Sequence, residues 1–415
     1  MNSRAKSEKL AALSFAELVS LIAAIMALNA LAIDMMLPAL GAIGAELGAA
    51  NENDRQLVVV IYVLGNGVAQ LFFGPIVDRF GRRRVLLFAL GAYAAGSILS
   101  ILSGTFTLLL AARAFQGVAT AATRVAAIAI VRDLTSGRRM AEVMSLAITI
   151  FMAAPILAPS FGKLVLFAAP WRGIFYVLFA YGLLIALWIY IRVPETLPEK
   201  DRLPLDLKAI GGAYSEFLSN RISLGYTLAA ALSFGALFGY ISASEQIFVE
   251  TFNLGARFPL AFAAVAGSLG AATLVNARIV GRLGMRKLTH GALIVAAIVN
   301  LIHAAIASAS VESFATFMIL MMVFFFCLGL IGSNSSAIAL EPMGHIAGSA
   351  AAVNGFAGTT LAGVIGGFIA HLYDGTTRPV ILGFAVSSVV ALAIILITER
   401  GRLFETGRAV IEATD

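Results

Sequence analysis

Residues 74–84 read GPIVDRFGRRR, and 203 positions later residues 277–287 read ARIVGRLGMRK. Both segments share the pattern I-V-x-R-x-G-x-R followed by Arg or Lys, and each lies in a basic gap between two long apolar runs. Self-similarity at a fixed offset indicates a repeated architecture. Because the offset is close to half of the 415 residues, it predicts two similar halves.

The composition indicates a membrane protein. The chain is 60% hydrophobic and only 13% charged, with a mean hydropathy of +0.94, whereas soluble domains are about 45–50% apolar and about 25% charged. Parallel halves in a membrane protein are typical of transporters that bind their solute between the two halves. We therefore expect a transporter of this kind.

Several other classes of function are disfavoured by the same residues. The net charge is +6, but the basic residues lie in gaps between apolar runs rather than on one face, so we expect no nucleic-acid partner. The single Cys327 and the four histidines favour neither a disulfide nor a metal site. The chain has no Walker-type phosphate loop, which argues against ATP as the energy source. We expect no metal and no cofactor.

Twelve apolar runs are long enough to cross a bilayer as helices, which takes about 20 residues. The sequence thus predicts an all-α membrane protein with twelve transmembrane helices in two pseudo-symmetric six-helix halves. The N-terminal half covers residues 1–193, a polar, proline-bearing cytoplasmic linker covers 194–221, and the C-terminal half covers 222–415. The predicted spans are 15–40, 56–77, 84–103, 106–130, 141–167, 172–192, 222–248, 258–280, 288–309, 313–340, 347–372 and 380–398.

The distribution of Lys and Arg predicts the orientation, because cytoplasmic loops carry the excess of positive charge. The first run is too long for a cleaved signal and is interpreted as a retained helix. With the N-terminus inside, 22 of the 29 basic residues fall on the cytoplasmic side, five fall outside, and Arg113 and Arg124 lie within a span. Both termini are therefore predicted to be cytoplasmic.

Asp34 and Arg113 are the candidates for proton coupling. A carboxylate at the depth of Asp34, in the first span, usually faces the interior of the helix bundle and belongs to a proton or substrate pathway. Alternatively, Asp34 lies at the outer interface near Pro38 and merely meets water. Arg113, in the fourth span, stays charged, so it would act electrostatically on Asp34 or, alternatively, form a structural ion pair.

Other side chains within the spans are candidates for substrate binding. Glu245, in the outer third of the seventh span, would favour cationic solutes, or else is merely solvated. His303 is interpreted as a core residue, and most uncharged polar residues as interhelical hydrogen-bond partners. Pro155 and Pro159 share one face of the fifth span and each removes a helix hydrogen bond. The full set of candidates is Met26, Asn29, Asn66, Gln116, Phe151, Pro155, Tyr240 and Glu245.

The repeated loop has a physical interpretation as a gate. Gly74 would permit tight helix packing, and Asp78 could face the positive N-terminus of a neighbouring helix. The basic neighbours could pair with acids across the seam between the halves. The second copy has Gly281 where the first has Asp78. A simple positive-inside loop would explain the arginines but not the Gly and Asp spacing. The gating motif is Gly74, Asp78, Arg79, Gly81, Arg82 and Arg83.

At these residues the chain resembles the major facilitator superfamily over essentially its whole length. The loop matches the superfamily signature G-x-x-x-D-R-x-G-R-[RK], and R-x-x-Q-G is matched by Arg113, Gln116 and Gly117. The drug-antiporter signature of the fifth helix keeps Pro159 and Gly162 but has Ala158 and Lys163 in place of glycines. The segments AIDMMLPAL, IVRDL, APWRGIF, PETLP and ALEPMGHIAG are similar to the bicyclomycin-resistance (Bcr/CflA) type of multidrug efflux protein.

This resemblance implies a drug:proton antiporter of the bacterial inner membrane that contributes to antibiotic resistance. The acid of the first helix, here Asp34, would carry the proton, and the proton gradient would be the driving force. Some relatives have a glutamate one or two turns earlier, where this chain has Met26 and Asn29. The expected partners are protons, a small amphipathic, lipophilic or cationic substrate and membrane lipid, and the expected state is a monomer. A transporter of one metabolite remains open, and more distantly a channel, a receptor or a membrane enzyme.

Overall fold

The computed structural model describes residues 13–135, 137–202 and 206–404. Within these ranges every regular element is helical and no strand occurs. The predicted cytoplasmic Arg4, Lys6, Lys9 and Arg408 lie outside the described residues, as does part of the linker, 203–205. The orientation of the termini stays a prediction.

The chain divides into two compact units, Met1–Leu207 and Lys208–Asp415. The helices of the first unit are α1 (Phe15–Asp34), α2 (Leu40–Leu47), α3 (Leu57–Phe80), α4 (Arg82–Ile101), α5 (Phe106–Leu134), α6 (Gly137–Phe151), α7 (Ala153–Ala168) and α8 (Arg172–Arg192). Next come α9 (Leu207–Ser219), α10 (Arg221–Glu245), α11 (Phe258–Leu283), α12 (Met285–Ser308), α13 (Phe314–Leu340), α14 (Ala347–His371) and α15 (Arg378–Thr398).

Eleven helical segments are long and apolar enough to cross a membrane among the described residues. One of them, Phe314–His371, is 58 residues long and contains both α13 and α14. The two helices are separated by a 3₁₀ segment, Glu341–Ile346, where Met343 has non-helical dihedral angles of φ −104° and ψ 22°. Dividing the segment there gives the twelve predicted spans and confirms the all-α fold.

The predicted linker, 194–221, is partly helical. It contains a 3₁₀ turn at Glu199–Asp201 and the helix α9, which has two buried residues, Ala213 and Phe217. The linker was interpreted as polar throughout, and the short amphipathic pattern of α9 was not recognised from the sequence. The exact division into halves and linker stays a prediction.

The fifth predicted span is divided at Met152 into α6 and α7. Pro155 lies in the first turn of α7 and has no N–H group, so it cannot bond to the carbonyl of Phe151 four residues earlier. The break therefore lies where the sequence removes a helix hydrogen bond. Pro159 is accommodated inside α7.

The two copies of the basic loop form the same turn. Gly81 ends α3 and begins α4 with φ 98° and ψ 151°, and Gly284 joins α11 to α12 with φ 83° and ψ 150°. A positive φ of this kind is accessible to glycine at little cost. The repeated glycine thus has a local structural cause in both units.

Candidate functional site

Asp34 is the last residue of α1, and its side chain is buried, with 3% of the residue exposed. Its Oδ1 atom has no hydrogen-bond partner. Pro38 follows within a 3₁₀ turn, Leu37–Ala39, that connects α1 to α2. The structure therefore places this carboxylate inside the first unit rather than on its surface.

Arg113 lies in α5 and is fully buried. Its Nε atom donates to the carbonyl oxygen of Val58 (3.1 Å), Nη2 donates to that of Ala32 (2.9 Å), and Nη1 donates to the side-chain oxygen of Gln116. Among the described residues it forms no ion pair with a carboxylate. The guanidinium thus joins α5 to α1 and α3 through neutral acceptors, which is not the structural ion pair considered from the sequence.

Aromatic rings cover the same guanidinium. Its central carbon lies 4.3 Å from the ring centroid of Tyr62 and 6.0 Å from that of Phe175. Both distances are within the range in which a cation is attracted by a ring face. The guanidinium of α5 therefore lies against aromatic rings of α3 and α8.

A hydrogen-bond network extends from this cluster. The Tyr62 hydroxyl donates to Asn29 (2.8 Å), and the Gln116 amide donates to Ser97 (2.8 Å). The network therefore contains two of the predicted binding residues. Gln116 is fully buried between Arg113 and Ser97, so in this conformation its side chain joins α5 to α4.

The third predicted amide of the first unit, Asn66, lies one turn along α3 from Tyr62. It donates to the hydroxyl of Thr120 (3.1 Å) and accepts from Gln70 (3.0 Å). Polar contacts between α3 and α5 thus continue beyond Arg113. Hydrogen bonds of this type hold transmembrane helices together.

Glycines allow the helices of this cluster to approach closely. A Cβ atom on Gly117 of α5 would lie 2.1 Å from the carbonyl oxygen of Tyr62. A Cβ on Gly162 of α7 would lie 2.1 Å from the carbonyl oxygen of Met35, the residue after Asp34. Both glycines therefore make close helix contacts, which position the backbone beside Arg113 and Asp34.

The remaining candidates of the first unit, Met26, Phe151 and Pro155, are half-buried. Met26 lies in α1 about two turns before Asp34, and Phe151 and Pro155 flank the break between α6 and α7. Half-burial leaves parts of these side chains accessible. Their roles in substrate binding stay a prediction.

Tyr240 and Glu245 belong to the second unit, in α10. Tyr240 is buried in a cluster of rings, with its centroid 4.7 Å from that of Phe325 and 5.5 Å from that of Phe262. Glu245 is the last residue of α10 and is 9% exposed, so it is not a freely solvated surface acid. A π-helix, Gln246–Thr251, follows it.

The gating motif is organised around Arg82, the first residue of α4. Its guanidinium pairs with Asp78 (3.0 Å) and with Asp133 at the end of α5 (3.2 Å), and it donates to the carbonyl oxygen of Val77 (3.1 Å). The Thr196 hydroxyl donates to the same Asp133 carboxylate (2.8 Å). Arg82 thus connects α3, α4 and α5 within the first unit.

The N-terminus of α4 is capped by Glu195. Its carboxylate accepts from the backbone N–H of Arg82 (2.8 Å), Arg83 (3.4 Å) and Arg84 (3.4 Å). The first amides of a helix lack partners within the helix and carry partial positive charge. The carboxylate fits closely over Gly81, where a Cβ atom would lie 2.5 Å from Oε2.

These contacts differ from the sequence expectations for Asp78 and Gly74. Asp78 was expected to face the N-terminus of a neighbouring helix, but it contacts the Arg82 side chain, and Glu195 occupies the N-terminus of α4. The acids that pair with Arg82, Asp78 and Asp133, belong to the first unit. Arg83 donates to the carbonyl oxygen of Tyr190 (2.7 Å), and Arg79 is exposed. Pairing of the basic residues across the seam between the halves stays a prediction. Gly74 has nothing within 4 Å of a Cβ position, so no tight packing contact explains it here.

The second unit has a different arrangement at the equivalent turn. Arg286 of α12 bonds to Glu399 (3.1 Å) and lies 3.5 Å from Glu341. The Tyr226 hydroxyl donates to Glu399 (2.6 Å) and lies 2.8 Å from Nε2 of His290. The acid at this turn therefore bonds to side chains rather than to the helix N-terminus.

The contacts of His290 fix its tautomer. Its Nδ1 atom accepts from the backbone N–H of Phe404 (3.1 Å), so the proton of the neutral ring is on Nε2. Nε2 then donates to the Tyr226 oxygen, and the Tyr226 hydroxyl donates onward to Glu399. This directed chain of hydrogen bonds connects α12, α10 and the end of α15.

Sequence reasoning missed Asp133, Glu195 and Thr196 as functional candidates. A signal was present, because these residues lie in the segments IVRDL and PETLP, which carried the family resemblance. Among the described residues no group of three or more His, Cys, Asp and Glu side chains is placed to hold a metal ion.

Comparisons with known proteins agree with this architecture. The family model described as Major Facilitator Superfamily matches residues 22–367. The chain is 31% identical to an uncharacterized MFS-type transporter, YdgK, of Bacillus subtilis, over 85% of this chain and 87% of that protein. It is 30% identical to a bicyclomycin resistance protein homolog of Haemophilus influenzae, over 89% and 92%.

Two further similarities are partial or structural. The chain is 33% identical to the multidrug resistance protein MdtL of Salmonella heidelberg, over 52% of this chain and 54% of that protein. The crystal structure of the human organic anion transporter MFSD10 superposes with a TM-score of 0.65 at 18% identity, over 91% and 98% of the chains, and supports the fold alone. The chain belongs to the major facilitator superfamily and is an integral membrane transporter of small molecules, not an enzyme.

Proposed function

We propose that this transporter exports small amphipathic, lipophilic or cationic drugs in exchange for protons, by alternating access across a bacterial cytoplasmic membrane. Asp34 is the proton carrier. Two relatives that align with the chain are named for bicyclomycin resistance and multidrug resistance, which supports drugs as the substrate class. No cofactor is needed, because the proton gradient supplies the free energy.

The observation that carries this proposal is the environment of Asp34. Its carboxyl group is buried, has an oxygen without a hydrogen-bond partner and forms no ion pair within the described residues. An ionised carboxylate in such a place is costly, and it also lies at the end of α1 that carries partial negative charge. Binding a proton removes both costs, so this group is suited to exchange protons during a conformational cycle.

The proposed cycle couples proton and substrate through one conformational equilibrium. Asp34 releases its proton to the cytoplasm as the drug binds, and protonation from outside after the conformational change expels the drug. Proton and drug must therefore oppose each other in binding, and the coupling free energy is reciprocal. Arg113 positions α1 through the carbonyl of Ala32, so it is a positioning residue for Asp34 in this scheme.

The test is transport in proteoliposomes with an imposed pH gradient and a panel of cationic, neutral and anionic compounds. The wild-type protein should concentrate at least several cationic or lipophilic compounds against their gradients, and each should release protons when it binds. Asp34→Asn should bind compounds but not concentrate them, because an amide cannot exchange a proton. The matched control is Glu52→Gln, which changes an exposed acid of the same unit and should transport like the wild type.

The other functions predict different results in the same assay. Concentration of a single compound would indicate a transporter of one metabolite. Ion conductance beyond the rate of a carrier cycle would indicate a channel. Accumulation driven by the pH gradient in the Asp34→Asn protein would show that the proton binds elsewhere.

A further inference from the structure

A groove of about 540 Å³ lies on the second unit, between α11, α12 and α13. Its walls are apolar apart from two residues, Ser268 and Lys287. Val295 is 44% exposed and Val323 39%, so the groove is open along one side. The lining residues include Gly291, Val295, Phe326, Cys327 and Leu330.

The length of the groove along α12 is similar to the thickness of the hydrocarbon layer of one membrane leaflet. The groove extends along α12 from Lys287 to Val295, eight residues that correspond to about 12 Å of helix. Half of a hydrocarbon layer of about 30 Å is of similar length. The charged end of the groove, at Lys287, lies in the first turn of α12, on the predicted cytoplasmic side.

The charged end of the groove differs from its counterpart in the first unit. There, Glu195 accepts from the first three amides of α4. In the part of the second unit that the structure describes, no group accepts from the amides of Met285, Arg286 and Lys287, and no atom lies within 4 Å of a Cβ position on Gly284. The positive end of α12 and Lys287 together favour an anion.

Gly291 creates the space beside α12. No atom lies within 4 Å of a Cβ position at this glycine, so a larger side chain would enter the groove rather than strike the protein. The residue 203 positions earlier, at the equivalent point of α4, is Phe88, which is 77% exposed. The first unit therefore has a large side chain at the position where the second unit has Gly291 and an open groove.

We propose that this groove binds an anionic phospholipid of the cytoplasmic leaflet. One acyl chain lies over Gly291 and reaches Cys327, and the phosphate contacts Lys287 and the N-terminus of α12. The occupant must be apolar over the length of one leaflet and anionic at one end, which is the chemistry of such a lipid. Basic pockets between transmembrane helices on the cytoplasmic side bind anionic head groups for this reason.

The test is native mass spectrometry of the full-length protein in detergent micelles that contain phosphatidylglycerol or phosphatidylcholine. The wild type should retain one phosphatidylglycerol with about fivefold preference, the ratio that corresponds to about 1 kcal/mol for one lysine near the membrane surface. Lys287→Gln should lose this preference while it still retains a lipid. Gly291→Phe should lose retention of both lipids.

Gly91→Phe is the matched control for the bulky substitution. Gly91 lies in α4, is exposed and has nothing within 4 Å of a Cβ position, and its variant should retain lipid like the wild type. Equal retention by Gly291→Phe and the wild type, or an unchanged preference in Lys287→Gln, would overturn the proposal. Displacement of phosphatidylglycerol by millimolar inorganic phosphate would show an anion site without an acyl chain, and would also overturn it.

Discussion

The Nη2 atom of Arg113 lies 2.9 Å from the carbonyl oxygen of Ala32, two residues before Asp34. The Arg113 guanidinium therefore contacts the backbone of the helix that contains Asp34 rather than the Asp34 carboxylate. A movement of α5 relative to α1 would change the position of Asp34 directly. This relationship makes the helix contact, and not an ion pair, the element to test.

Arg113→Met should destabilise the first unit and abolish transport. It leaves the buried carbonyls of Val58 and Ala32 and the Gln116 oxygen without their donor, and each lost hydrogen bond to a charged group costs about 1.5–3 kcal/mol. Arg113→Lys should keep part of the stability and part of the transport, because an ammonium can satisfy some of these acceptors. Thermal unfolding in detergent and drug uptake measure the two effects.

The pH dependence of drug binding separates an electrostatic role of Arg113 from a purely structural one. If Arg113 acts on Asp34 through charge as well as through α1, the folded fraction of the Met variant should bind drug with a shifted pH profile. The same profile in the wild type and the Met variant would leave Arg113 with a packing role alone.

Gly117→Ala should prevent the normal approach of α3 and α5. The added Cβ atom would lie 2.1 Å from the carbonyl oxygen of Tyr62, and backbone cannot yield as a flexible side chain can. We expect a large loss of thermal stability. Gly91→Ala, at an open helix position, should instead be neutral or slightly stabilising, since alanine is favoured over glycine in a helix. Equal stability of the two variants would contradict the close contact.

Glu195→Ala should destabilise the turn between α3 and α4 by about 1 kcal/mol, the usual value of a helix N-cap. Glu195→Gln keeps an acceptor oxygen but loses the charge that interacts with the helix end, so it should lie between alanine and the wild type. Unfolding temperatures of the three proteins test the order. A glutamine variant as unstable as the alanine variant would show that charge, rather than hydrogen bonding, accounts for the cap.

The sequence predicted the helices well and the loop contacts poorly. A helix must span the bilayer with its backbone hydrogen bonds satisfied, so length and hydropathy were enough to locate the spans. The contact between Glu195 and the amides of α4 joins residues 113 positions apart, which no local pattern reports. His303 was interpreted as a core residue, and it is fully buried. The sequence did not reveal its pairing with Glu312, which forms because the chain reverses direction after α12.

The candidate site was predicted in part for the same reason. Asp34 and Arg113 stood out because charged residues within spans are rare and costly. Their depth indicated burial, but two of the three acceptors that Arg113 contacts are backbone carbonyls, which every residue has. Sequence therefore could not distinguish an Arg113–Asp34 pair from the observed contact with Ala32.

Asp78→Ala should slow the transport cycle and leave drug affinity near that of the wild type. The substitution removes one partner of Arg82, while Asp133 and the Val77 carbonyl remain. The turn therefore stays folded but is stabilised by fewer contacts. Equilibrium binding and turnover in proteoliposomes measure the two quantities separately. Weaker binding with normal turnover would instead place Asp78 in a substrate-binding role.

The fully buried Arg113 also has a consequence for biogenesis. An arginine within a transmembrane helix costs about 2.5–3.5 kcal/mol on insertion at the helix centre, and the segment that contains α5 has a mean hydropathy of 1.5, against 2.9 for Arg378–Thr398. The carbonyls of Ala32 and Val58 belong to helices that leave the ribosome before α5. The order of the helices in the chain thus provides the acceptors before the arginine enters the lipid, and a permuted chain that begins with α5 would have to insert it without them.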